Sequence, residues 1–138
     1  MSDFGLGSAG TEVAFASCMD ERHPPENIVD GSDRTFWVTT GLYPHQIILA
    51  FSGEIELDKI KTVTTNIRKL KFESCTQTSP TEFQEIYDVE VADRNGRVQA
   101  ETNQIPGKPK ARFLRVTIMN GWDDFASIRR ISIEGAKT

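Results

Sequence analysis

Thirteen consecutive residues, Asn27-Ile-Val-Asp30-Gly31-Ser-Asp33-Arg-Thr35-Phe-Trp37-Val-Thr39, bring together a sharp turn, several hard oxygen donors and one large aromatic. Two acids, a serine, two threonines and the turn carbonyls are the ligand types that suit Ca²⁺, and Gly31 supplies the positive φ needed to wrap them around one centre. With no His or Cys inside the loop, the ligands favoured by zinc and copper are missing. The same residues also read as an Asx turn, with Asp30 bonding its own backbone, Gly31 left-handed and Trp37 filling core. Local chemistry leaves the two readings level. An EF-hand is excluded, because its twelve-residue loop with a sixth-position Gly and a closing Glu between two helices is not present. A closing carboxylate must come from far away in the chain, and Glu134 beside Gly135 is the natural candidate.

The elements that would position such a loop are strands. Short β-branched and aromatic runs recur at 11–17, 36–40, 46–51, 59–66, 69–75, 85–92, 112–120 and 127–134, and helical periodicity is almost absent. This predicts an all-β sandwich. Alternation is clearest in Phe113-Leu-Arg-Val-Thr-Ile118 and Ile128-Arg-Arg-Ile-Ser-Ile133, where apolar and polar side chains go to opposite faces. Turn signals separate the runs: His23-Pro24-Pro25, Ser79-Pro80, Arg94-Asn95-Gly96 and Pro106-Gly107-Lys108-Pro109. Asn95-Gly96 carries a type I′ hairpin signal. The paired prolines hold the chain extended just before the acidic loop.

At 138 residues and 15.5 kDa the chain has room for one domain, 1–138, able to hold a core without staples. A net charge of −4 and a pI near 5.2 argue against a nucleic-acid or anionic-membrane binder, which needs a basic face. The one basic cluster, Arg68, Lys69 and Lys71, alternates with Leu70 and Phe72 and reads as a solvated strand face. Cys18 and Cys75 sit in no metal or redox spacing, so one disulfide is open to them but unsupported. Residues 1–10 lack the apolar centre of a signal peptide, and no apolar run approaches the roughly 18 residues of a membrane span. A soluble intracellular protein with reduced thiols is expected.

Catalysis lacks a carrier. His23 and His45 read as loop or turn histidines, and no nucleophile elbow, P-loop or dinucleotide glycine motif is present. Candidate contact surfaces are Tyr43 and Trp122, with Arg22 or Asn120 nearby, for a sugar, and strand 46–51 or the loops around Phe83 and Phe125 for a protein. For strand 46–51, two-sided core is the expected role.

Read together, Asn27-x-x-Asp30-Gly31-x-x-x-Thr35-x-Trp37-x-Thr39, Phe113-Leu-Arg115-Val and Ile128-x-x-Ile-x-Ile-Glu134-Gly135 resemble the discoidin or coagulation-factor type C family. These are galactose-binding-like jelly-roll β-sandwiches, and the resemblance covers about residues 10 to 136. It implies a structural Ca²⁺ held by the Asn27 backbone carbonyl, Asp30, Thr35 and Glu134. Asp33 is the rival ligand by composition, but the family's next oxygen falls at Ser32. More closely, Asp20-Glu-Arg-His-Pro-Pro-Glu-Asn-Ile-Val-Asp-Gly31, Thr35-Phe-Trp-Val-Thr-Thr-Gly41 and Asp123-Asp-Phe-Ala-Ser127 are similar to the family of small jelly-roll subunits of the intraflagellar transport B complex. That family is also catalogued among atypical small heat-shock proteins. The resemblance implies a non-enzymatic protein of the cytoplasm and the cilium or flagellum that pairs with a Rab-like small GTPase subunit and other intraflagellar transport B proteins. Carbohydrate binding of the discoidin type is the alternative it leaves.

Overall fold

The computed structural model describes residues 3–18, 22–32, 34–39 and 42–138, and among them an all-β jelly-roll sandwich is formed as expected. Its eight strands are β1 (Glu12–Ala16), β2 (Trp37–Val38), β3 (His45–Thr65), β4 (Ile67–Cys75), β5 (Gln84–Glu90), β6 (Val98–Gln104), β7 (Lys110–Gly121) and β8 (Ser127–Lys137). Every pairing between them is antiparallel.

The count matches the eight sequence runs, but two of the assignments differ. Runs 46–51 and 59–66 are halves of one strand of 21 residues, β3. Its first half pairs with β1 and β7, from Ile47 opposite Val116 to Ala50 opposite Phe113, and its second half with β8 and β6. The registers therefore build one layer from β1, β3, β7, β4 and β5 and the other from β6, β3, β8 and β2, with β3 in both. A register shift between Ala50 and Ile55 marks where β3 passes from one layer to the next; strands that turn such corners do so through bulges or bends. The strand missed in the sequence is β6, whose inward residues are Gln99 and Asn103 rather than apolar side chains.

The predicted alternation positions the core. Leu114, Val116 and Ile118 of β7 are fully buried with Leu70 and Phe72 of β4 and Leu49, Leu57 and Ile60 of β3. In β8, Ile128, Ile131 and Ile133 are all buried although 128 and 131 are an odd number of residues apart. Strict two-residue alternation would send them to opposite faces. A bulge at Arg129, where Val63 pairs with Arg130 but Thr64 with Ile128, restores the common face. The run 46–51 is two-sided core as expected, with Ile47 and Leu49 fully buried and Ile48 nearly so.

Asn95 and Gly96 both take positive φ, 54° and 81°, as a type I′ turn requires, and Arg97 N donates to Arg94 O. The expected hairpin is nevertheless not formed, because the strands on either side, β5 and β6, pair with β4 and β3 respectively and not with each other. His45 is also not a turn residue: it opens β3 and is buried. Cys18 and Cys75 are free thiols. The chain is tied to the sandwich from the first described residues: Phe4 is buried in the core, and its N–H donates to Ile133 O.

Buried Gln99 closes the tight β3–β4 connection. Its Oε1 accepts from Thr64 Oγ1 at 2.9 Å and Ile67 N at 3.0 Å, and its Nε2 donates to Ile67 O at 2.8 Å and Ala92 O at 3.0 Å. These four bonds fill the amide's usual capacity at a site where Asn66 takes φ 59°. Replacing Gln99 by Leu strands backbone groups of Ile67 and Ala92 without water, so urea denaturation is expected to show a loss of about 2–4 kcal/mol. A variant as stable as wild type would mean that these bonds are replaced.

Candidate functional site

The acidic loop is assembled step by step from its own sequence. The prolines fix its entry, and Pro25–Val29 forms a 3-10 turn anchored by fully buried Ile28, with Asn27 N donating to Pro24 O at 3.1 Å. Asp30 follows, and Gly31 takes φ 79°, which reverses the chain. Ser32 N then donates to Asp30 Oδ1 at 2.8 Å, Arg34 N to Ser32 Oγ at 3.1 Å, and the Thr35 hydroxyl to Asp30 Oδ2. Asn27 Nδ2 reaches across the loop to Phe36 O at 3.0 Å. Trp37, fully buried, ties the exit down with its Nε1 on Cys18 O at 3.0 Å.

The Asx-turn reading is thus realised in full; of the four expected ligand residues, Asp30 and Thr35 are bonded to each other, and the Asn27 side-chain amide is engaged with Phe36 O. Glu134 lies elsewhere in its contacts. It is on β8, paired with Lys59 and bridged to Asp3, with Oε1 3.2 Å from Lys61 Nζ. Asp33, together with Asp20, Glu21, Thr40 and Gly41 of the quoted segments, lies outside the described residues. The donor chemistry of Asn27, Asp30 and Thr35 fits a hard cation, and Thr35, which donates to Asp30, keeps its lone pairs for one. Among the described residues no three His, Cys, Asp or Glu side chains gather into a metal cage.

Asp3 is a structural carboxylate that the sequence did not suggest. Its Oδ1 accepts from Gly5 N at 2.8 Å and Ile133 N at 2.9 Å, and its Oδ2 pairs with Arg130 Nη2 at 3.1 Å. It fastens the amino-terminal segment to β8. A lone Asp in a small, polar stretch carries no pattern that announces this.

The polar ends of the two aromatics proposed for a sugar surface are committed within the protein. Tyr43 Oη donates to Asp123 O at 2.8 Å, and Trp122 Nε1 to Val91 O at 2.9 Å. The Arg68 guanidinium lies 4.9 Å from the Trp122 ring centre, so the basic cluster contributes a cover as well as a solvated face. Burial pushes the Tyr43 phenol above its ordinary pKa against a hydrogen bond from Thr39, and Asp123 and Asp124 push it further up. It stays a donor at neutral pH. His23 stacks on Phe36 at 4.2 Å, and His45 meets Tyr43 edge-on at 5.4 Å, which gives both histidines packing roles.

On the outer face of β4 and β7, Arg115 grips Glu73 with two bonds, Nε to Oε1 at 2.9 Å and Nη2 to Oε2 at 2.8 Å. Phe83 packs under the guanidinium, 4.3 Å from its ring centre. The Arg115 hydrogen bonds, and then the charges of Arg115 and Lys71, outweigh burial and hold the Glu73 pKa below its ordinary value. A depressed folded pKa means that the contribution is complete above the unfolded value of about 4.3 and is lost as pH falls through the folded one. Glu73→Gln is therefore expected to lower Tm at neutral pH, with the gap to wild type closing as melts are taken down to about pH 2.5. A gap independent of pH would contradict the ion-pair account.

The family model described as F5/8 type C domain matches residues 12–131. The chain is 41% identical over 98% of its length to intraflagellar transport protein 25 of Chlamydomonas reinhardtii, covering 70% of that protein. It is 35% identical over 96% of its length to the intraflagellar transport protein 25 homolog of Homo sapiens, covering 92% of it. In fold it is similar to the family 32 carbohydrate-binding module of Clostridium perfringens NanJ, solved with galactose. There the TM-score is 0.79 over 95% of this chain and 96% of that one, at 16% identity.

Proposed function

Because the chain belongs to the intraflagellar transport protein 25 family, on an F5/8 type C fold, we propose that it is a non-enzymatic subunit of the intraflagellar transport B complex. It pairs there with a Rab-like small GTPase subunit, works in the cytoplasm and the cilium or flagellum, and carries a structural Ca²⁺. The observation that carries this reading is 41% identity over 98% of the chain to a protein of that name. An adaptor needs surface rather than a reactive centre, and both histidines and the one grouped basic cluster are engaged in packing or pairing. The sugar alternative is weakened by the internal bonds of Tyr43 and Trp122. A chaperone role finds no support either: Ile131-Ser132-Ile133 has the I-x-I form, but both isoleucines are fully buried in β8 and so make no free tail.

Coexpression with the Rab-like GTPase tests the adaptor reading. A stable heterodimer on size-exclusion chromatography is expected, and separate elution of the two proteins would contradict it.

The calcium proposal rests on the Asn27 carbonyl, Asp30 and Thr35, with Glu134 closing the site from β8. The ion would supply a cross-link between loop and last strand. For Glu134 to turn to it, the carboxylate must leave Lys61. Binding to the folded state alone raises stability by about 2.7 kcal/mol at a hundredfold excess over Kd, so calcium is expected to raise Tm and Asp30→Ala to abolish the rise. Lys61→Met is expected to tighten binding by freeing Glu134. Melting that is identical in calcium and in chelator would sink the proposal.

A further inference from the structure

The sandwich end formed by the β7–β8 connection and the approach to β3 carries apolar surface that folding leaves uncovered. Leu42 is 93% exposed and Phe125 60%, against 49% for Phe15 on β1. With Tyr43 and Asp124 they line an open cleft of about 300 Å³. The base beneath them is rigid. Thr39 and Ala126 exchange two hydrogen bonds, Thr39 N to Ala126 O at 2.9 Å and Ala126 N to Thr39 Oγ1 at 3.0 Å. Trp122 is fixed by Asn66 O and Val91 O, and Tyr43 by Asp123 O. Gly121 is what lets Tyr43 lie there, since a Cβ at that position would come within 2.3 Å of the Tyr43 hydroxyl.

The rim of this patch is acidic. Asp123 and Asp124 form no ion pair among the described residues; the Asp123 carboxylate accepts only the neighbouring Asp124 N–H. Two unpaired acids beside two exposed apolar side chains select among occupants. An anionic lipid surface is repelled by them. A second copy meeting face to face about a two-fold axis would set like charges against like. A sugar would find the Tyr43 hydroxyl and the Trp122 indole N–H already committed. A protein with an apolar hollow edged by basic side chains meets both the shape and the charge.

We propose that this end docks a folded protein partner presenting an apolar pocket rimmed by Lys or Arg, with Leu42 and Phe125 as the inserted anchors and Asp123 and Asp124 as the steering rim. The inference rests on the reading of the chain as a complex subunit and assigns that subunit's contact surface.

The test titrates the full chain with the nucleotide-loaded Rab-like GTPase by calorimetry, with Tm recorded for each variant. Leu42→Asp and Phe125→Asp, both at exposed positions, are expected to keep wild-type Tm and to weaken binding about 30-fold or more. In stopped-flow mixing of the same two proteins, paired Asp123→Lys and Asp124→Lys substitutions are expected to slow association and to remove its slowing by salt. Phe15→Asp, on another face, should bind as wild type. Variants at 42 and 125 that bind like wild type would overturn the docking surface while leaving the subunit reading intact. A wild-type chain that does not bind the GTPase would remove the GTPase pairing and this inference together. Binding to neutral phosphatidylcholine vesicles that depends on Leu42 and Phe125 would replace the protein partner with a membrane.

Discussion

One strand, β3, has to satisfy two sheets at once, and the rest of the molecule is arranged around that demand. Over its 21 residues it forms ladders with β1, β7, β8 and β6 in turn. A strand with partners on both sides for most of its length has its backbone groups satisfied by neighbours and no open edge to exploit. The remaining segments are then constrained: β4 must pack beside β7, and β8 must run against the second half of β3. The acidic loop can only lie where β2 meets β8, because Trp37 pairs with Ile128 while filling the core.

This arrangement separates holding from presenting. Three interior polar side chains are spent on backbone: Gln99 on the β3–β4 turn, Asn103 Nδ2 on Ile60 O, Thr39 on Ala126. The charged pairs that face outward, Glu73 with Arg115 and Asp3 with Arg130, join neighbouring strands or fasten a terminus. What folding leaves exposed sits in loops: the Leu42 and Phe125 side chains with the acids at 123 and 124, and the remaining lone pairs of Asp30 and Thr35. A scaffold of this kind can change its ligand by changing loops, which is why similarity to galactose-binding modules in fold implies nothing about sugar here.

The all-β class, the alternation of β7 and β8 and the Asp30–Trp37 loop were legible because each is written in local residue types. The continuity of β3 was not. The runs 46–51 and 59–66 read as two strands, and only the pairing of Ile55 with both Ala111 and Lys137 shows that the chain stays extended between them. β6 was invisible to hydrophobic periodicity because it buries an amide at Gln99 and another at Asn103. Asn95-Gly96 announced its turn correctly, but a turn's local dihedrals do not say which strands will pair. Around the candidate metal loop, local residue types announced the turn at Asp30 and Gly31, while the ligand set of Asn27, Asp30, Thr35 and Glu134 came from the family resemblance. The Lys61 contact of Glu134 depends on the β3–β8 register, where Lys59 faces Glu134 and Lys61 faces Ser132, and register is a long-range quantity.

The central claim is that a rigid sandwich locked by β3 works through its loop end. Amide hydrogen exchange on the chain, free and then bound to the Rab-like GTPase, tests it most directly. The account predicts that both halves of β3 are slow and unchanged on binding, and that new protection is confined to 42–43 and 122–126. New protection along the outer face of β4 and β7, or two halves of β3 that open separately, would contradict it.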